Sequence, residues 1–406
     1  MKNSDPHARW LMIGLVFSAT VINYLNRQTL SVLAPVLISQ FHMSSVSYSR
    51  VISAFMLAYT IMNGVSGPLI DRLGTRLGYA LTMVWWSVAT MLQGLARGAW
   101  SLGVFSFLLG MGEAGNWPAG VKVVAEWFPV EERALASGLF NSGSSVGAIL
   151  APPLVVTLAL AFGWRVAFLV VGSLGLIWLL FWLFKYYTPV QAKQQEASWE
   201  IGVWGLLRTR FVWSFTLSKL FMDPVWYFYI FWFPQYLKQG RHFDLASIGK
   251  YAWIPFLLAG LGNIAGGWTA SALLRRGFTL TTARKGAVTA FAILMASAIP
   301  AVLVSDARLS MALVSLAMFG YTGCTANMLA FPADAFPKSV VASIWGLAGL
   351  GSGLGGMAFA LLTGWVVDRY SYVPAFFGFG MMPMISVLIL WFLLGPLQPR
   401  TTELVG

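Results

Sequence analysis

The segment FPVEERALASGLFNSGSSVG, residues 128–147, returns in altered form as FPKSVVASIWGLAGLGSGLG, residues 336–355. Each matching position is displaced by 208 residues, as from Phe128 to Phe336. The matches are a Phe-Pro pair, three glycines and the acidic residue two positions before the Phe-Pro: Glu126, Phe128, Pro129, Gly138, Gly143 and Gly147 against Asp334, Phe336, Pro337, Gly346, Gly351 and Gly355. Six matches at one spacing indicate that the chain consists of two equivalent halves.

The composition of the chain is that of a membrane protein. Its 406 residues are 58% hydrophobic and 10% charged, whereas a soluble domain carries about 25% charged residues. Apolar segments of about 20 residues, each able to cross a hydrocarbon core of about 30 Å, recur along the chain. We predict twelve spans, at residues 10–37, 48–70, 77–97, 100–127, 134–161, 164–187, 211–237, 246–274, 283–303, 309–332, 339–366 and 372–395. The predicted fold is therefore an all-α membrane protein.

The repeat and the apolar segments together predict two pseudo-symmetric halves of six transmembrane helices each. The N-terminal half covers residues 1–187 and the C-terminal half residues 211–406. Between them, residues 188–210 begin with the polar stretch TPVQAKQQEASWE and are predicted to form a cytoplasmic linker. Parallel repeats of this kind build the major facilitator fold. The repeated glycines are interpreted as packing surfaces, because small residues let helices approach closely in lipid.

The net charge of +12 is interpreted as a topology signal. A nucleic-acid interface is excluded, because the basic residues are spread over the loops and no hydrophilic domain carries a binding face. With the N-terminus in the cytoplasm, fifteen Lys and Arg residues fall in cytoplasmic segments and eight in outer loops. The positive-inside rule then places both termini in the cytoplasm. The short polar segment before the first span does not predict a cleaved signal peptide, and the lone Cys324 predicts no disulfide.

Two ionisable residues lie deep within apolar segments of the first half. Glu113 is the single carboxylate between residues 100 and 121, and Arg27 lies within the first span. A carboxylate at the centre of a bilayer costs about 2.5–3.5 kcal/mol, so the group must be paired, hydrated or periodically protonated. At helical spacing two polar faces are predicted: Asn23, Arg27 and Ser31, and Ser106, Gly110, Glu113 and Trp117. A buried acid and a buried base in separate helices suggest a proton site and an anion site in one transport protein.

The loop after the second predicted helix reads GPLIDRLGTR, residues 67–76. It resembles the inter-helix signature of the major facilitator superfamily, in which an Asp-Arg pair lies between glycines and is followed by a further Arg. The corresponding loop of the second half, residues 267–277, lacks the acidic residue and has Ser271 in its place. The resemblance predicts that Asp71, Arg72 and Arg76 form a cytoplasmic gate, while plain topological charge remains an alternative.

A narrower resemblance is carried by NYLNRQTLSVLAPVL at residues 23–37, by GEAGNWPAGVKVVAEWFP at residues 112–129, and by DPVWYFYIFWFPQYL at residues 223–237. These segments are similar to the anion:cation symporter family of the superfamily, in its hexuronate and sugar-acid branch. The resemblance implies a monomeric carrier in the bacterial inner membrane. Its expected partners are a small organic anion, such as glucuronate, galacturonate or a related hexonate, and the lipid bilayer. It implies no cofactor or metal, with the proton as coupling ion.

Carried over residue by residue, the resemblance assigns an anion-binding arginine to Arg27, a proton-coupling acid to Glu113 and a second-helix tyrosine to Tyr59. A guanidinium holds a carboxylate by two hydrogen bonds, which lysine cannot reproduce. Further candidate substrate contacts are Tyr24, Asn26, Asn141, Ser144, Ser145, Trp226 and Tyr227, the last two through a sugar ring. For each of these polar groups, hydrogen bonding within the helix bundle is an equal alternative.

Two positions depart from the family pattern. Members commonly carry an acid immediately before the first-helix arginine and an arginine seven residues before the fourth-helix glutamate, whereas this chain has Asn26 and Ser106. Because both charges of a possible pair are absent together, no buried charge is left alone. Asn26 cannot carry a proton, so Glu113 is the predicted sole proton site of the first half. One proton per monovalent anion and an electroneutral cycle are expected.

Other functions would place different demands on the sequence. A membrane enzyme would need a nucleophile, a metal cluster or an acid–base pair, yet the three His residues are scattered and Cys324 is alone. A carrier of another organic anion, an effluxer of amphipathic compounds and a transport-fold sensor remain alternatives, and an effluxer would not require Arg27. In the second half, Lys219 and Asp223 are predicted to pair within one helix, with a structural role or a substrate or proton role both open.

Overall fold

The computed structural model describes residues 6–128, 130–187, 203–336 and 338–397. Every regular element within these ranges is an α-helix. In chain order the helices are α1 (Pro6–Val32), α2 (Ala34–Gln40), α3 (Ser45–Leu73), α4 (Thr75–Gln93), α5 (Ala99–Glu113), α6 (Asn116–Trp127), α7 (Val130–Phe162), α8 (Trp164–Lys185), α9 (Val203–Leu207), α10 (Arg210–Arg241), α11 (Leu245–Tyr251), α12 (Ile254–Arg275), α13 (Leu280–Met295), α14 (Ala298–Leu303), α15 (Ala307–Met328), α16 (Phe331–Ala335), α17 (Lys338–Arg369) and α18 (Tyr372–Phe392).

Each of the twelve predicted spans is mostly helical, and several of them are divided between two consecutive helices. Within the described ranges, eight helical segments are individually long and apolar enough to cross a membrane. The all-helical membrane fold is therefore confirmed, while the count of twelve spans stays a prediction.

The chain divides into two compact units. The first unit spans Met1–Glu196 and Phe231–Trp253, and the second spans Ala197–Ile230 and Ile254–Gly406. The end of α10 belongs to the first unit, where the Tyr48 hydroxyl donates to the carbonyl of Phe231 at 2.9 Å. Most of the predicted linker, residues 188–202, lies outside the described ranges. The predicted boundaries of the two halves remain predictions.

The fourth predicted span, residues 100–127, is interrupted immediately after Glu113. Helix α5 ends at Glu113 and α6 begins at Asn116. The cause is Pro118, which has no N–H to donate to the carbonyl four residues earlier, that of Ala114. Ser66 of α3 donates to this carbonyl at 3.3 Å. The prediction that Trp117 shares the helical face of Glu113 stays a prediction.

The repeated glycines form close helix–helix contacts within each unit. A Cβ at Gly143 or Gly147 of α7 would lie 2.6 Å from the carbonyl oxygen of Phe17 or Val21 of α1. Such a distance is shorter than Cβ atoms tolerate, so only glycine fits there. These contacts confirm the packing interpretation for two glycines of the first repeat.

The glycines of the second repeat make the equivalent contacts in the second unit. There Gly351 and Gly355 of α17 lie against the carbonyl oxygens of Thr216 and Leu220 of α10. The contacted residues are displaced by 199 positions from their first-unit counterparts, as from Val21 to Leu220. Helices α1 and α10 are therefore equivalent elements, at a spacing that differs from that of the glycine helices.

Substitution of Gly143 by alanine should destabilise the protein, whereas the same change at Gly138 should not. A Cβ at Gly143 would collide with backbone, while one at Gly138 on the same helix meets nothing within 4 Å. Overpacking of this kind costs about 1–3 kcal/mol. Thermal unfolding of the two purified variants in detergent measures the difference, and equal midpoints would contradict the proposed contact.

Candidate functional site

The two deep ionisable residues of the first half form one buried ion pair. Arg27 Nε of α1 lies 2.8 Å from Glu113 Oε2 at the end of α5. The side chain of Arg27 is 3% exposed and that of Glu113 is 0% exposed. Removing one partner of such a pair leaves a buried charge without compensation, at a cost of about 3–5 kcal/mol. Each of the two charges is therefore stable in its buried position only because the other is present.

Aromatic rings surround the guanidinium of Arg27. Its central carbon lies 4.7 Å from the ring centroid of Tyr59, 5.1 Å from that of Tyr24 and 5.2 Å from that of Phe55. The electron-rich faces of these rings attract a cation. Tyr24 and Tyr59 were predicted and lie at the pair. Phe55 was not predicted, although it precedes Tyr59 by one helical turn on α3 and stacks on it with a centroid separation of 5.7 Å.

Several polar atoms beside the pair are buried without a hydrogen-bond partner in the described part of the chain. They are Glu113 Oε1 and both side-chain amide atoms of Asn23 and of Asn26. All three residues are 0% exposed. Most buried polar groups in proteins are hydrogen-bonded, so unpaired ones indicate where a ligand or water supplies the missing partner. Helix α1 thus carries two amides without a hydrogen-bond partner in the described residues, both in the turn before Arg27.

The two residues that depart from the family pattern, Asn26 and Ser106, are uncharged and buried in this structure. Ser106 of α5 is buried and accepts from Gln93 Nε2 of α4 at 3.0 Å. Asn26 makes no side-chain hydrogen bond within the described residues, and so none to Ser106. Where a charge pair is expected, the protein therefore has a serine paired to a glutamine and a buried amide without a hydrogen bond in the described residues. Gln93 was not found from the sequence.

Helix α7 carries three predicted substrate contacts, which are partly exposed: Asn141, Ser144 and Ser145. The Ser144 hydroxyl donates to the backbone carbonyl of Asn141 at 2.7 Å, within its own helix. Ser144 thus makes the hydrogen bond within the protein that was the alternative to a substrate contact. Its oxygen can still accept a hydrogen bond from a further donor.

The predicted cytoplasmic gate is only partly described. The side chain of Asp71 lies outside the described residues, and Arg72 is exposed. Arg76 donates to the carbonyl of Leu183 at 2.5 Å, and the indole of Trp182 donates to the carbonyl of Arg76 at 2.9 Å. Arg76 thus caps the C-terminal turn of α8, where a cation is favoured. Its gating role stays a prediction.

The second unit contains a buried cluster on α10 and α15. Lys219 Nζ lies 2.7 Å from Asp223 Oδ2, which confirms the predicted intrahelical pair. The hydroxyl of Tyr321 on α15 donates to the other oxygen of Asp223 at 3.3 Å. Trp226 stacks on Tyr321 with a centroid separation of 5.2 Å. Tyr321 was not predicted.

The second predicted ring contact, Tyr227, lies beside this cluster. Its hydroxyl pairs with that of Ser352 on α17 at 3.2 Å. Trp226 and Tyr227 are both partly exposed. In the described ranges, no group of three or more His, Cys, Asp and Glu side chains could hold a metal ion.

Comparisons with known proteins connect this arrangement to transport. Residues 16–305 match the Major Facilitator Superfamily. The chain is 34% identical over 403 residues to the hexuronate transporter of Escherichia coli K12, covering 94% of this chain and 93% of the relative. It is 39% identical over 307 residues to the galacturonate transporter of Dickeya chrysanthemi, covering 71% and 89%. A solved bacterial homolog of the human lysosomal transporter Spinster has a TM-score of 0.72 at 19% identity, covering 96% of each chain.

The fold and the matches define a multi-pass membrane transporter, not an enzyme. The chain belongs to the Major Facilitator Superfamily. Its predicted resemblance to the sugar-acid transporters of that superfamily is confirmed by the relatives. The likeness to the Spinster homolog, at 19% identity, shows the fold alone.

A double-mutant cycle on the buried pair should show strong coupling between its members. Arg27→Met leaves the Glu113 carboxylate buried without a cation, and Glu113→Leu leaves the guanidinium without an anion, so each should lower the free energy of unfolding by about 3–5 kcal/mol. The double variant should lose much less than the sum of the two. Unfolding of the purified proteins measures all four corners. Additive losses would contradict direct pairing.

Proposed function

We propose that this protein is a proton-coupled symporter that imports a sugar acid by alternating access. The substrate is a hexuronate such as glucuronate or galacturonate, or a related hexonate. The protein acts in the bacterial inner membrane with both termini in the cytoplasm. The proposal is supported by relatives named as hexuronate, galacturonate and D-galactonate transporters and by the buried Arg27 within an apolar helix.

The observation that carries the proposal is the buried contact between Arg27 and Glu113. In the described part of the chain, Glu113 is the carboxylate that pairs with Arg27, and it holds the guanidinium as long as it is ionised. Protonation of Glu113 removes the charge–charge attraction, and the guanidinium becomes able to hold a substrate carboxylate by two hydrogen bonds. Proton binding and anion binding are thereby linked through one cation.

In the proposed transport cycle, the Glu113 carboxylate and the substrate carboxylate compete for Arg27. A proton from the outer side neutralises Glu113, and the sugar acid then binds Arg27. After the site opens to the cytoplasm, the higher pH removes the proton. The restored Glu113 carboxylate pairs with Arg27 again and displaces the anion.

The hydroxyl groups of the substrate need partners as well. The unpaired amides of Asn23 and Asn26 lie on the helix that carries Arg27. Each amide offers both donors and an acceptor, and the phenol groups of Tyr24 and Tyr59 lie beside the guanidinium. We assign these groups to the polyhydroxyl part of the ligand.

The charge of the site supports one proton per anion. In the empty state the Arg27 cation and the Glu113 anion cancel. In the loaded state the substrate carboxylate replaces the Glu113 carboxylate, which carries the proton. Since Asn26 cannot be ionised, the loaded and the empty site carry the same net charge.

Uptake into proteoliposomes tests the function and the role of Glu113. Radiolabelled glucuronate or galacturonate should accumulate when the outer pH is lower. Glu113→Gln, which mimics the protonated acid, should retain exchange of internal for external substrate but lose gradient-driven accumulation. Arg27→Lys should lose both, because an ammonium cannot reproduce the two-pronged contact.

The matched control for these variants is Asp244→Asn. Asp244 is an exposed residue that caps α11 by accepting from the backbone N–H of Ser247 at 2.8 Å, and asparagine caps equally well. This variant should accumulate substrate as the unmodified protein does. Accumulation by Glu113→Gln would refute the coupling role, and no transport of either acid by the unmodified protein would refute the proposed function.

The membrane potential should have little effect on uptake by the unmodified protein. An imposed potassium diffusion potential, set with valinomycin, should leave accumulation of glucuronate unchanged because the cycle moves no net charge. Asn26→Asp adds a second titrating group and should make uptake respond to an inside-negative potential. A clear response of the unmodified protein would contradict one-to-one coupling.

A further inference from the structure

The two units contain equivalent positions that carry different chemistry. Gly112 of α5 and Gly115, in the break before α6, lie against α4, and Gly320 and Gly323 of α15 lie in the same way against α13. Each pair is displaced by 208 residues, so α5 and α15 are equivalent in register. At this displacement Tyr321 occupies the position of Glu113.

The same comparison applies to α1 and α10. The glycine contacts relate Phe17 to Thr216 and Val21 to Leu220, a displacement of 199 residues. At that displacement Trp226 occupies the position of Arg27. The ion pair of the first unit therefore has an equivalent in the second unit, which is the contact between Trp226 and Tyr321.

This second contact is an aromatic stack. The rings of Trp226 and Tyr321 lie 10° from parallel with centroids 5.2 Å apart. Phe256 of α12 meets the indole edge-on at 6.0 Å. Tyr321 is 8% exposed, whereas Trp226 is partly exposed. Packing thus fixes the stack on one side. Part of the indole of Trp226 remains accessible and offers a rigid apolar surface.

Fixed polar groups lie directly beside the stack. Asp223 is 5% exposed, and its two oxygens are held by Lys219 and by the Tyr321 hydroxyl. Each carboxylate oxygen can accept more than one hydrogen bond. Tyr227 follows Trp226 on α10. Its hydroxyl pairs with that of Ser352, and either hydroxyl can exchange this hydrogen bond for one to a ligand.

A pyranose ring matches both parts of this surface. The ring has a flat face of C–H groups that packs on an aromatic ring, and a rim of hydroxyls that donate to a carboxylate. Aromatic side chains offer the first contact, and hydrogen bonds to an ionised acceptor are about twice as strong as neutral ones. An open-chain acid with the same hydroxyls has no such flat face.

We propose that Trp226, Tyr321 and Asp223 form a subsite in the second unit that recognises the closed sugar ring of the substrate. The inference rests on the proposed function and names the part of the substrate that this unit recognises. Asp223 and Tyr321 then help to determine the preference for a closed-ring acid over an open-chain acid.

The experiment compares a closed-ring acid with an open-chain acid. Equilibrium binding of radiolabelled glucuronate and gluconate is measured on the purified protein and on Trp226→Ala. The variant should bind glucuronate about two- to tenfold more weakly, the range expected for loss of one aromatic contact, while binding of gluconate changes much less. Arg27→Lys should weaken both acids alike.

Further variants separate recognition from packing. Trp226→Phe keeps a ring and should recover most of the preference for glucuronate. Tyr321→Leu should act like Trp226→Ala. Trp268→Ala on α12 removes a tryptophan that is 66% exposed and should have no effect. Thermal unfolding identifies any variant that is merely unstable.

Each result is decisive. A ratio of glucuronate to gluconate affinity that falls in Trp226→Ala but not in Trp268→Ala supports the subsite. The subsite is refuted if Trp226→Ala binds glucuronate as tightly as Trp268→Ala does, or if it weakens both acids by the same factor. Binding of neither acid by the unmodified protein would overturn the proposed function, and the subsite with it.

Discussion

The contact between Arg27 and Glu113 constrains the rest of the first unit. Two opposite charges that are 3% and 0% exposed cannot separate cheaply, because each alone would be a buried ion without compensation. The surrounding structure maintains this contact. Gly143 and Gly147 hold α7 against α1, and Pro118 ends α5 at the carboxylate. Only a proton on Glu113 together with a second anion on Arg27 separates the pair at low cost, because the guanidinium then keeps an anionic partner.

The two units use equivalent positions for different purposes. One unit has an ion pair between its first and fourth long segments, and the other has an aromatic stack in the same place, with Trp226 against Tyr321. The internal duplication therefore preserved the backbone contacts of the glycines and changed the side chains at the site. Helix packing depends on the first, and the proposed recognition of the sugar ring depends on the second.

Sequence analysis predicted the parts of this structure that depend on local patterns. Apolar length predicted the helices. The glycine spacing predicted the close contacts of Gly143, Gly147, Gly351 and Gly355 but was wrong for Gly138 and Gly346, where a Cβ would meet nothing within 4 Å. The high cost of a charge in a bilayer singled out Arg27 and Glu113. Their pairing was not predicted, because the residues are 86 positions apart and meet only in the folded bundle. Tyr321 was missed because an aromatic residue in an apolar helix resembles a lipid-facing one, although its displacement of 208 from Glu113 was available.

Helix α3 touches Arg27 and also the backbone of Ala114, the residue that follows Glu113. Phe55 and Tyr59 lie against the guanidinium, and Ser66 donates to the carbonyl exposed by the helix break after Glu113. A substitution on α3 that widens the range of ligands would therefore also disturb the acid. Laboratory evolution of this helix toward new substrates would be expected to yield variants whose pH optimum has moved as well, so that the two traits are inherited together.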